Sequence, residues 1–146
     1  MRLTTRQATL EEIHSLYLCI PEFGSLHSLS DLQQRIGDNP SHGLIAEIDG
    51  QAAGFKLGYQ TTPGEFYSWL GAVLPAFRRK GVAQAMLAEQ ECWARSQGYQ
   101  QLWVKTRNQF RAMLIMLISH EYQIFTLEKK GEVDEYRLLL KKTCDI

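Results

Sequence analysis

The sequence predicts an α/β (α+β) chain in which a mixed sheet carries helices against it, and three features of its pattern say so. An Asp49-Gly50 pair between apolar runs is the strongest short hairpin signal in the chain. Apolar residues recur at helical spacing from Val82 through Met86 and Leu87 to Trp93 and Ala94. Around these, strand-like and helix-like stretches follow the order β-α-α-β-β-β-α-β-α-β-β, with no repeat, low-complexity tract or linker to divide them. With 146 residues, 45% of them apolar and 22% charged, residues 1–146 read as a single domain with a sizeable core.

Leu3 to Gln7 is the first strand. Thr9 and Glu12 then form a capping-box pattern, for a helix that turns Leu10, Ile13, Leu16 and Tyr17 inward and ends before Pro21. The break Ile20-Pro21-Glu22-Phe23-Gly24 leads to a second helix from Ser30 through Ile36, capped by Ser30 or Asp31 and stopped by Gly37-Asp38-Asn39-Pro40. Leu44–Ile48 and Ala52–Tyr59 are the strands of the hairpin, and Thr61-Thr62-Pro63-Gly64 makes the next turn. Glu65 to Leu74 is a third strand, ended by Pro75, which cannot donate to a ladder. The central helix is read from Arg79 to Gln97, with Gly98 at its stop. A strand at Leu102–Thr106, a helix at Phe110–Ile118 and a closing strand pair at Gln123–Leu127 and Glu135–Leu140 complete the chain.

Charge and composition exclude several functions. Lys plus Arg and Asp plus Glu both number 16, so no global field draws the chain to nucleic acid or anionic lipid. Any anion it binds must be held locally. The longest apolar run, Ala112 to Ile118, has seven residues, against about 20 for a bilayer crossing, so no membrane association is expected. Met1 to Gln7 lacks the apolar stretch of a secretory signal, which points to the cytoplasm. Cys19, Cys92 and Cys144 are odd in number and widely spaced, so neither a disulfide framework nor a metal site is expected.

The junction from Val73 to Ala83 carries the chemistry. A strand ends, the chain turns, and a helix begins through Arg78, Arg79, Lys80 and Gly81. The first turn of a helix leaves N–H groups unpaired at the positive end of the macrodipole, and a glycine there lets an anion approach the backbone. An ordinary solvated helix start would also carry such cations.

In this junction Arg78-x-x-Gly81-x-Ala83, preceded by Val73-x-Pro75, resembles the pyrophosphate loop Q/R-x-x-G-x-G/A of the GNAT superfamily of N-acetyltransferases. The phrases Gly54-Phe55-Lys56-Leu57-Gly58-Tyr59, Tyr67-Ser68-Trp69-Leu70-Gly71-Ala72-Val73 and Asn108 through Ile115 are similar to those of small bacterial members. The resemblance implies a GNAT-type, mostly antiparallel central sheet flanked by helices, with acetyl-CoA as acyl donor in a V between the third hairpin strand and the strand from Leu102, which part after Val73. Pyrophosphate would take N–H groups of Arg79, Lys80, Gly81, Val82 and Ala83, with charge from Arg78 and Lys80. The pantetheine arm would pair with Ala72 and Val73, and an N–H near them would stabilise an oxyanion. Asn108 would bond a pantetheine amide or else cap the helix from Phe110.

Two carboxylates are candidates for handling the acceptor amine. Glu65 opens the strand that leads to the thioester, and Glu22 sits in the break that overhangs the acceptor. Phe23, Tyr67 and Trp69 would wall the substrate pocket, although for the last two packing is the simpler account. The helix after Asn108 departs from the superfamily: Ile115 and Met116 stand where many members place a general-acid Tyr. The expected reaction is transfer to a primary amine of a small molecule, amino acid or peptide, with no nucleic-acid or membrane partner and with room for a homodimer. An acyl-CoA-binding module without turnover is the alternative.

Overall fold

A computed structural model describes residues 1–24 and 26–144. The strands are β1 (Leu3–Gln7), β2 (Ser41–Ile48), β3 (Gln51–Thr62), β4 (Glu65–Val73), β5 (Gln101–Arg107), β6 (Gln123–Glu128) and β7 (Arg137–Thr143). The helices are α1 (Leu10–Tyr17), α2 (Leu29–Ile36), α3 (Val82–Ser96) and α4 (Arg111–Ser119), with single 3-10 turns at Pro75–Phe77 and Val133–Glu135. The expected succession of strands and helices is therefore the observed one. The sheet runs β1-β2-β3-β4-β5-β7-β6, and β4–β5 is its one parallel pairing among the described residues.

Local chemistry explains most element boundaries. Thr9 Oγ1 accepts from the Glu12 N–H at 3.2 Å while Glu12 Oε1 accepts from the Thr9 N–H at 3.0 Å, closing the capping box of α1. Thr9→Ala is accordingly expected to cost about 1 kcal/mol of stability, read as a lower denaturant midpoint. Asp49 and Gly50, with φ of 50° and 84°, make the tight turn between β2 and β3.

Two helix starts differ from expectation. Ser28 caps α2, in a box with Asp31, because that pair satisfies two amides reciprocally where Ser30 or Asp31 as cap would satisfy one. The helix α3 starts at Val82 rather than Arg79, because Arg79 and Gly81 take left-handed φ of 63° and 79°, which no right-handed helix admits.

The two faces of the sheet are covered by different helices. Ile13 and Tyr17 of α1 and Leu32 and Ile36 of α2 pack on Phe55, Leu57, Tyr59 and Tyr67. On the other face, Leu87 and Ala94 of α3 and Leu117 of α4 pack on Phe66, Leu102 and Val104. No helix among the described residues is long and apolar enough to cross a membrane.

Candidate functional site

The parallel ladder between β4 and β5 covers only Glu65–Ser68 against Gln101–Val104. Beyond it, Leu70–Val73 of β4 pairs with β3 alone and Lys105–Arg107 of β5 with β7 alone, which leaves a V between the two strands. The strands part after Ser68, not after Val73 as the sequence suggested. The cause is a bulge: Leu57 faces Leu70 and Gly58 faces Ser68, so Trp69 is an extra residue on β4 just where the ladder stops.

Ladder alternation decides which amides face the V. The Leu74 N–H donates to Ala53 O at 2.8 Å, so Leu74, and with it Ala72, turns toward β3. The amides on the open edge are those of Gly71 and Val73. Ala72, expected to bond a ligand's backbone, faces the wrong strand, and Gly71, which the sequence reading passed over, faces the right one. Val73 O already accepts from Arg78 Nε at 3.0 Å.

At the end of this open edge lies the turn Arg78–Gly81. Its left-handed Arg79 and Gly81 form a concavity of the kind that collects successive N–H groups. The first backbone bond of α3 runs from the Ala85 N–H to Gly81 O, and the six amides from Arg79 to Gln84 have no acceptor among the described residues. A Cβ built on Gly81 meets nothing within 4 Å, so the space in front of the cradle is open. Donor chemistry, open space and adjacent Arg78 and Lys80 fit a diphosphate. Gln84 is an addition to the five residues read from sequence.

The two carboxylates lie at different ends of this arrangement. Glu22, in the turn after α1, receives both terminal nitrogens of Arg78 at 2.9 and 3.0 Å. That bidentate pairing holds its carboxyl below the usual range, which weakens it as a proton acceptor. The pair is intact above the ordinary carboxylate range and is lost as pH falls through the lowered value. Glu65 bonds Thr62 Oγ1 at 3.0 Å at the closed start of β4. It is seven residues from Ala72, roughly 23 Å along a strand. The structure thus separates Glu65 from the V, against expectation, because an extended strand carries its two ends far apart.

The remaining candidates form a wall on the α1–α2 face. Tyr67 is 4% exposed and stacks on Trp103 at 4.0 Å. Trp69 meets Tyr59 edge-on at 5.6 Å with the Arg35 guanidinium 4.9 Å above its ring. Phe23 stacks on Tyr17 at 4.8 Å. Tyr59 and Trp103 complete the wall but were not singled out from sequence, where an aromatic in a strand signals only core. Asn108 Nδ2 donates to Val133 O at 2.9 Å, and Phe110, not Asn108, stands at the N-cap of α4. The Tyr122 hydroxyl donates to Glu91 at 2.7 Å, and Ile115 is 65% exposed with no polar group to offer.

Residues 10–115 match the model of the Acetyltransferase (GNAT) family. In fold the chain is similar to the ribosomal-protein-S18-alanine N-acetyltransferase from Escherichia coli, at TM-score 0.84 and 16% identity, covering 99% of this chain and 96% of that one. It is similar to Ard1 from Thermoplasma volcanium at TM-score 0.80 and 17% identity, with 98% of each chain covered. A GNAT family acetyltransferase from Elizabethkingia anophelis with acetyl-CoA bound gives TM-score 0.77 and 15% identity, with 97% of each covered. No curated protein matches the chain in sequence.

Proposed function

The chain belongs to the GNAT family of acetyltransferases, and from that premise we propose that it moves an acetyl group from acetyl-CoA directly to a primary amine of a small molecule, an amino acid or a peptide. Acetyl-CoA, the acyl donor of the family, supplies an acetyl group already activated as a thioester. The observation that carries the reading is one continuous path: an open strand edge at Gly71 and Val73 running into a cradle of amides without acceptors.

In this reading the amides of Arg79, Lys80, Gly81, Val82, Ala83 and Gln84 hold the diphosphate, with charge from Arg78 and Lys80. Gly71 and Val73 pair with the pantetheine arm, and Asn108 offers its side-chain carbonyl to an amide of that arm. Phe23, Tyr67 and Trp69 line the acceptor side. Glu22 fixes Arg78 in place through the bidentate pair. Residues 1–146 act as one acetyltransferase domain of the cytoplasm, and pairing of two copies is compatible with this arrangement. Peptide amino termini belong among the acceptors to be tried, since an alanine N-acetyltransferase shares the fold.

A second reading, an acyl-CoA-binding module without turnover, is favoured by one observation. The Tyr122 hydroxyl is committed to Glu91, and α4 carries Ile115 and Met116 where a proton donor is usual in the family. Calorimetric titration with acetyl-CoA and release of free CoA thiol test both readings. Saturable binding is expected, with thiol above the no-amine control for at least one of spermidine, free amino acids and an alanine-headed peptide. Binding with silence across the panel selects the module, and absence of binding removes both readings.

A further inference from the structure

Lys56 is the one charged residue in β3. Its neighbours Phe55 and Leu57 pack toward α1 and α2, so alternation turns Lys56 to the α3 face. There it stands in register with Gly71, and a Cβ built on Gly71 would lie 3.4 Å from Lys56 Nζ and 3.5 Å from its Cγ. The two residues are thus in van der Waals reach, and the lysine ammonium lies beside a residue whose amide faces the V.

Burial pushes the Lys56 ammonium down to about 8, with the field of Glu91 pulling the other way. Glu91 faces it from α3 but does not neutralise it, because its oxygens are taken by the Tyr122 hydroxyl at 2.7 Å and the Lys142 ammonium at 3.3 Å. Lys56 makes no hydrogen bond or ion pair among the described residues. Ser68 Oγ and both side-chain amide atoms of Gln90 are also buried without hydrogen-bond partners among the described residues. Ser68 lies on this same face, by alternation from Phe66, and Gln90, on α3, is wholly buried. Lys56 is half-buried, and its ammonium, with no ion-pair partner among the described residues, is open to a ligand that brings acceptor atoms.

We propose that Lys56 is a catalytic residue of acetyl transfer, contacting the thioester end of the donor and giving its proton to the CoA sulfur as that sulfur leaves. The proposal rests on the acetyl-CoA reading above. In the balanced step the acceptor nitrogen forms a bond to the acetyl carbon and the C–S bond breaks with its electron pair passing to sulfur. Lys56 supplies the proton that makes the thiol. The proton lost by the amine goes to solvent, and Lys56 is reprotonated from solvent. An ordinary thiol titrates near 8.5, so a donor near 8 transfers its proton with little change in free energy.

The test uses wild type, Lys56→Met and Lys56→Arg, with CoA as probe. The thiol of bound CoA is titrated by its thiolate absorbance against ligand-free blanks, and calorimetry records binding to each protein. A nearby cation acidifies a thiol about tenfold or more, so wild type and Lys56→Arg are expected to hold a CoA thiol that much more acidic than Lys56→Met does. With any amine that wild type acetylates, kcat is expected to fall at least about 100-fold in both variants, since Arg keeps the charge but does not release its proton. Equal thiol acidity in wild type and Lys56→Met, with CoA bound to both, overturns the proposal and leaves the donor site standing. Failure of wild type to bind CoA overturns the donor site itself.

The fold of the Met variant is checked by melting. The folded pKa of Lys56 is depressed, so the unfolded chain binds more protons between about pH 8 and 10.5, and this group costs stability at pH 7. Lys56→Met is expected to melt no lower than wild type at that pH.

Discussion

Gly81→Glu is expected to weaken acetyl-CoA binding at least about 100-fold, equivalent to about 2.7 kcal/mol. Gly81 holds φ of 79° at the N-cap of α3, and a side chain there enters open space, not the packed interior. The glutamate therefore does not displace α3 by collision, although the left-handed backbone costs about 1–2 kcal/mol of folding stability. Its carboxylate stands in front of the amides of Arg79 to Gln84, competing for them and repelling a diphosphate. Asn adopts the left-handed conformation more readily and carries no charge, so Gly81→Asn separates the electrostatic loss from the backbone strain and is expected to lose much less affinity. Calorimetry on the three proteins, with melting curves to verify folding, decides the matter. Unchanged affinity in Gly81→Glu would remove this turn from the donor site.

The second large effect is acid sensitivity from His42. The ring is 5% exposed, stacks on Trp93 at 4.1 Å, and leaves Nδ1 without a partner among the described residues. Burial depresses its pKa from 6.5 to about 4, so the native ring stays neutral while an unfolded chain takes up a proton. Stability from this group is present above the unfolded value and is lost as pH falls through the window from 6.5 to about 4. Allowing for screening by nearby water, the loss is on the order of 2 kcal/mol. His42→Phe keeps a flat ring against Trp93 and removes the titration. Denaturant unfolding at pH 7 and at pH 4 is expected to show a smaller difference in the variant than in wild type. An equal difference would assign the acid sensitivity to other groups.

Particular residues show how far the sequence could be read. Thr9 with Glu12 and Asp49 with Gly50 act over a few neighbouring bonds, and their cap and turn stand where local chemistry puts them. The motif from Arg78 to Ala83 located the amide cradle for the same reason, since a helix start exposes its N–H groups whatever packs elsewhere. The start of α3 was misjudged by three residues because the left-handed turn at Arg79 belongs to a non-glycine residue, and composition does not announce it. Glu65 looked well placed because adjacency in sequence hides length along an extended strand. Lys56 did carry a signal, a cation inside an otherwise apolar strand, but its meaning depends on Gly71 in the neighbouring strand.

By itself the sequence determined the succession of elements and the strand-to-helix junction after Val73, while its resemblance to the GNAT superfamily implied the acetyl-CoA donor. The elements and the junction follow from periodicity, caps and exposed amides, all of which are short-range. Tertiary structure alone decided that the strands part after Ser68, that Gly71 rather than Ala72 faces the opening, and that Arg78 and Glu22 are bound to each other. Each is a relation between segments distant in the chain, fixed by a bulge, by ladder alternation or by an ion pair across 56 positions.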